Sequence, residues 1–135
     1  MKAFTKHKPT GSSKPLFSGD LSIVNAIDFF EENFEETLTE IIDEAVTESQ
    51  DRVRKAAYSN NKWSKYSDSL TVSVEDTVIT YAHNGTEKED QEIFDLEFGG
   101  PSDPPNSVLR KAAERETPLI NNQISKSIAA VFGNV

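Results

Sequence analysis

The side chains that most often carry chemistry are sparse in this sequence. It holds two histidines, His7 and His83, and no cysteine. Without cysteine there is no disulfide, no thiolate nucleophile and no cysteine-built zinc site. His7 falls in a lysine- and serine-rich N-terminal stretch, and His83 stands just before the turn signal Asn84-Gly85. Neither has a spacing to a serine and an acid that would flag a hydrolytic triad. Glu87, Glu89, Asp90 and Glu92 cluster, but without the Asp-x-Asp-x-Asp-Gly spacing of a calcium loop. Gly99-Gly100 runs into Pro101 and not into a helix, so it is no phosphate loop. Carboxylates are too numerous for spacing to single out a glycosidase pair. The sequence therefore predicts no catalytic, cofactor-binding or metal-ligating residue, no cofactor and no enzyme.

What the elements position is then a set of surfaces. A chain of 135 residues reads as one domain and buries roughly two thirds of its unfolded surface, enough for a core. The net charge is −9, yet residues 1–19 hold Lys2, Lys6, Lys8 and Lys14 and no acid. All of the acidity lies in the remainder, which repels phosphate and disfavours sequence-specific binding of nucleic acid. No apolar run approaches the ~20 residues of a membrane span, and no apolar h-region follows the N-terminal lysines. A cytoplasmic chain with no membrane partner is expected. Residues 1–19 read as a flexible basic arm, and residues 20–135 as a single domain.

From about Ala26 to Ala57 the pattern is helical. Ile27, Phe30, Phe34, Leu38, Ile41 and Ala45 recur in steps of three and four and make one apolar stripe. Such a helix would be about 48 Å long, which leaves room for a break near Glu31–Phe34. Its other side carries Asp28, Glu32, Glu36, Glu40, Glu44 and Glu48 in an unbroken i,i+4 row. Like charges at this spacing cost roughly 0.2–0.5 kcal/mol per pair. Packing of the stripe, or a basic partner, must offset that. The row reads either as a solvated face or as a negative wall along which DNA slides without sticking. Residues 58–68 form a polar loop in which Trp63 and Tyr66 are equally candidates for subunit-interface anchors and for capping the core.

Leu70–Val74 and Val78–Ala82 alternate with period two and predict an antiparallel hairpin whose buried face the long helix covers. Gln91–Phe98 fits a short helix or a strand; the helix is preferred, with Phe94 and Phe98 turned inward. Gly99-Gly100-Pro101 ends it. Asn106, after Pro104-Pro105, is the expected N-cap of a C-terminal helix, which Pro118 should break or kink. Ile120, Ile124, Ile128 and Val131 continue its apolar stripe to Gly133.

The segment Glu97-Phe98-Gly99, followed by Pro105 and then Leu109-Arg110-x-x-Ala113, resembles the head-tail joining and tail-completion proteins of long-tailed bacteriophages. Ser69-Leu70 before the hairpin and Tyr81-Ala82 within it also match. The order of elements matches over roughly residues 20–132, although the loop proline and Thr-Gly of the family are missing. The resemblance implies an α+β fold, with a long N-terminal amphipathic helix and a C-terminal helix packed on a small antiparallel sheet. It implies a structural virion protein of the neck, assembled in the host cytoplasm. Six or twelve copies would form a ring between neighbouring connector, portal-adaptor or tail-tube proteins, with genomic DNA passing through the lumen unread. Subunit contacts are then expected at Trp63, Tyr66, Glu97, Phe98 and Arg110, with Glu97 and Arg110 pairing across subunits or within one. Glu32, Glu36, Glu40 and Glu44 are the candidates for the channel wall. The alternative is a small acidic cytoplasmic adaptor or inhibitor whose helix mimics nucleic acid and binds a basic, DNA-binding protein.

Overall fold

The computed structural model describes residues 14–20 and 32–132. Asp28 and the expected helix start at Ala26, the lead-in at Leu21–Val24, His7 and Gly133 lie outside them. The described elements are β1 (Lys14–Asp20), α1 (Glu32–Tyr58), a short 3-10 helix (Ser64–Ser69), β2 (Leu70–Glu75), β3 (Val78–His83), α2 (Glu87–Phe98) and α3 (Leu109–Phe132). The fold is α+β: a three-stranded antiparallel sheet in the order β1-β3-β2, with α1 and α3 packed on it.

The hairpin β2–β3 follows from its alternation. Leu70 lies opposite His83, Val72 opposite Tyr81 and Val74 opposite Ile79, and all six are buried. Partners directly opposite in an antiparallel pair share a face, so this is the face under the helices. Only Asp76 and Thr77 join the strands, and Asp76 takes a φ of 56°, which Asp tolerates better than most residues.

Part of the segment read as a flexible arm is instead structure. Lys14–Asp20 forms β1 and pairs with β3, with Phe17 opposite Tyr81 and Gly19 opposite Ile79. Composition hid this strand because its order comes from a partner 60 residues away. Gly19 has a packing reason: a Cβ there would lie 2.3 Å from Thr117 Oγ1 of α3, so only glycine lets the helix come this close. At the other edge, α1 side chains occupy the backbone of β2. Gln50 Oε1 accepts from Val72 N at 3.0 Å and Arg54 Nε donates to Leu70 O at 2.9 Å. Such cover blunts an edge strand against unwanted pairing.

Along α1 the buried residues are Leu38, Ile41, Ile42, Ala45, Val46, Ser49, Val53 and Ala57, a stripe at the spacing the sequence predicts. Ile120, Ile124 and Ile128 of α3 face it, while Val131 is exposed. No break occurs at Pro118; α3 runs through it as one helix of 24 residues. The carbonyl that loses its amide donor belongs to Glu114, which is exposed like Pro118, so the lost bond falls on the solvent side of the helix.

The expected helix at Gln91–Phe98 forms and starts earlier, at Glu87, on a capping box. Thr86 Oγ1 accepts from Glu89 N and Glu89 Oε1 accepts from Thr86 N, both at 3.2 Å. Its facing is the reverse of the prediction. Ile93 and Glu97 are buried, while Phe94 and Phe98 are 49% and 47% exposed. Gly99, at φ 88°, ends the helix, and its amide donates to Asp95 O at 2.8 Å.

Candidate functional surfaces

Glu97 joins the two halves of the motif inside the subunit. Its Oε1 accepts from the amides of Leu109 and Arg110, the latter at 3.4 Å. Ala112 N donates to Val108 O, so Val108 stands at the N-cap and Leu109 and Arg110 supply the first amides of α3. A carboxylate from the end of α2 therefore caps the start of α3, where the helix dipole favours negative charge. Ser107 Oγ donates to the Glu97 carbonyl at 2.6 Å. Glu97 Oε2 is buried with no hydrogen-bond partner among the described residues. Burial pushes the Glu97 carboxyl up, against the lowering effect of the Leu109 and Arg110 amides.

Burial corrects the expectation for Glu97 and favours the core-capping reading of Trp63 and Tyr66 over the interface one. Glu97 is not a subunit contact and does not ion-pair with Arg110; only 1% of it is exposed, and it binds backbone. Trp63 is fully buried, and its Nε1 donates to Asn106 O at 2.8 Å. Tyr66 is 4% exposed, and its hydroxyl donates to Glu92. Both aromatics close the core from the loop, the other of the two sequence readings. Nor is Asn106 an N-cap: its side chain exchanges hydrogen bonds with that of Asn60 at 2.9 and 3.1 Å, tying the two loops together. Phe98 and Arg110 remain on the surface, and Arg110 makes no ion pair among the described residues.

The acidic row of α1 is a true outer face. Glu36, Glu40, Glu44 and Glu48 are exposed, and the side chain of Glu32 lies outside the description. Glu48 is engaged by the Gln123 amide of α3. Two further surfaces went unread in the sequence. On α2, Phe94 and Phe98 stack with ring centroids 4.7 Å apart, and Phe98 meets Phe17 of β1 at 6.0 Å. Between α1 and α3 lies an open groove lined by Arg52, Leu119, Asn122, Gln123, Lys126 and Ser127.

Two buried polar clusters also escaped the sequence. Glu116 of α3 is fully buried and accepts from Ser49 Oγ at 2.9 Å, Arg52 Nε at 2.8 Å and Arg115 Nε at 2.9 Å. Burial alone would raise its carboxyl, but these bonds from Arg52, Arg115 and Ser49 outweigh it and hold the group below the usual carboxylate range. Residues 64 or more positions apart meet there, a distance no local pattern reports. His83 is buried with Nδ1 2.8 Å from Asp90 Oδ1, and its Nε2 has no hydrogen-bond partner among the described residues. Tyr81 is buried under α3 with its hydroxyl 2.8 Å from Thr117 Oγ1, and burial pushes it up to about 12. Among the described residues no group of three or more His, Asp or Glu side chains is arranged to hold a metal, and no helix is long and apolar enough to cross a membrane.

Comparisons of the chain with protein-family models, with curated proteins and with solved structures return no match. The likeness to neck proteins stands on the motif residues and the order of elements alone.

Proposed function

We propose that this chain is a structural subunit of a long-tailed bacteriophage neck, forming a ring that joins head to tail or completes the tail while DNA passes through its lumen. The observation that carries this reading is the Glu97 cap. The motif residues that prompted the resemblance, Glu97-Phe98-Gly99 and Leu109-Arg110, belong to one physical device, in which the end of α2 holds the start of α3. A motif whose residues hold one another in place in this chain is better support than spacing alone. The exposed acids Glu36, Glu40 and Glu44 suit a wall past which a polyanion must slide. The role is structural and not catalytic.

Electron microscopy of assembled particles, with antibody or tag labelling of this chain, tests the reading. An annulus at the head-tail junction containing the label is the expected result. A chain absent from particles and monomeric by light scattering would overturn it.

The same acidic face favours a second reading, an adaptor or inhibitor that binds a basic, DNA-binding protein. That reading expects capture of such a protein with affinity falling steeply as salt rises. It fails when the captured partners are other virion proteins and binding is indifferent to salt.

A further inference from the structure

Two surfaces that the core does not use sit toward opposite ends of α3. The first is the aromatic face of α2. Phe94 and Phe98 are about half exposed, stacked on each other, and flanked by the exposed acids Glu87 and Asp95. Two large rings left open side by side are costly in water and mark a contact surface. The second is the groove between α1 and α3. Its lining includes Leu119, 44% exposed, and two cations, Arg52 and Lys126, with no acid. Lys126 makes no ion pair among the described residues, Arg52 is shared with buried Glu116, and the nearby Glu48 is held by Gln123.

The surfaces are well separated. Glu97, next to Phe98, caps the amide of Arg110; at 1.5 Å per residue, Leu119 and Lys126 lie about 14 and about 24 Å further along α3. One copy can therefore offer the first surface and receive on the second at the same time.

The geometry points to a head-to-tail contact between copies of this chain, in which Phe94 and Phe98 of α2 seat on Leu119 in the next copy's groove, with Asp95 facing Lys126. The contact rests on the ring reading and gives it an interface. The match is chemical on three counts. Apolar rings cover the half-exposed side chain of Leu119, the apolar residue of the groove. The acid that flanks them meets a cation, Lys126, that makes no ion pair among the described residues. The ring faces also offer the guanidinium of Arg52 a cation–π contact. A phosphate-bearing ligand would satisfy Arg52 and Lys126 but leave both phenylalanines bare. The contact is heterologous, using two different patches, and that class of interface propagates into a ring or an open helix and does not stop at two copies.

The absence of cysteine from the chain makes the test clean. Asp95→Cys and Asn122→Cys are introduced singly and together into the full chain, and the proteins are oxidised at concentrations where light scattering reports self-association. The double variant is expected to give a ladder of covalent multimers, and each single variant no more than a trace of dimer. In a second arm, Lys126→Glu should weaken association about tenfold, and Asp95→Lys added to it should restore most of the loss. Strong dimers from Asp95→Cys alone, or no ladder from the double variant, would overturn the contact. The two levels of failure separate cleanly. Multimers of the unaltered chain without a ladder sink this pairing and leave the ring reading standing. A chain that neither associates nor enters particles sinks both.

Discussion

At Glu97 burial works against the charge, whereas at Glu116 hydrogen bonds overcome burial, and the two carboxyls respond to pH in opposite directions. The folded pKa of Glu97 is raised above its ordinary 4.5, so its contribution to stability is full below that value and is lost as pH rises through the folded pKa. Glu97→Gln keeps an oxygen for the Leu109 and Arg110 amides and removes the buried charge. It should flatten the decline of stability between about pH 4.5 and neutrality and leave the neutral protein at least as stable. Glu97→Ala strands the buried amide of Leu109 and the part-buried one of Arg110 and should cost about 1–2 kcal/mol at all these pH values. Glu116 has a lowered pKa, so its contribution is present above the ordinary carboxylate value and lost as pH falls through the folded one. Glu116→Gln should cost about 2 kcal/mol at neutral pH, discounted because Arg52 and Arg115 are 40% and 44% exposed and can turn to water. That loss should shrink in acid. Urea midpoints measured across pH check both variants. The sequence made Glu97 conspicuous as part of a motif but misjudged its partner, since only the fold brings the end of α2 onto the first amides of α3.

Among the elements, α1 and the β2–β3 hairpin were legible because each has a strong period of its own: 3.6 for the helix, two for the strands. The errors fall where period is weak or context decides. In α2, Phe94 and Phe98 are the largest apolar residues, so hydrophobicity alone turned them inward. The core instead takes Ile93 and spends the neighbouring buried position on the Glu97 cap. β1 looked like tail because it ends a stretch, residues 1–19, rich in lysine, serine, proline and glycine, yet it completes the sheet and lies against α3. Gly19→Val should therefore push the strand off Thr117 and cost about 1–3 kcal/mol, and Thr117→Ala should return part of that loss in the double variant. Equal costs with and without Thr117→Ala would show that close approach is not the reason for glycine. Tyr81, whose hydroxyl meets Thr117, serves as control: Thr117→Ala alone should push its raised pKa further up, because burial, the main cause, stays while the hydrogen bond that lowers it goes.

For the whole molecule, the division of charge is the main physical fact. Packing of the α1 stripe against β2 and α3 overcomes the repulsion along Glu36, Glu40, Glu44 and Glu48, so the acids need no basic partner to fold. The triple variant Glu36→Lys, Glu40→Lys and Glu44→Lys should leave stability within about 1 kcal/mol of the parent, or raise it, because the like-charge row is broken. It should also acquire salt-sensitive affinity for double-stranded DNA, and on the proposed neck reading particles that carry it should eject their genome more slowly. Unchanged ejection with measurable DNA affinity would place this face away from any channel.

Periodicity by itself determined a long helix whose apolar stripe covers an alternating hairpin, because those signals are local and repeat along the chain. Tertiary structure alone decided which conspicuous residues are surface and which are mortar. Trp63, Tyr66 and Glu97 went inside, Phe94 and Phe98 stayed out, and Glu116 found Ser49 and Arg52 across the helix interface. Burial is a property of how elements dock, and a single side chain's hydrophobicity cannot report on it when a hydrogen bond or a neighbouring helix claims the site first.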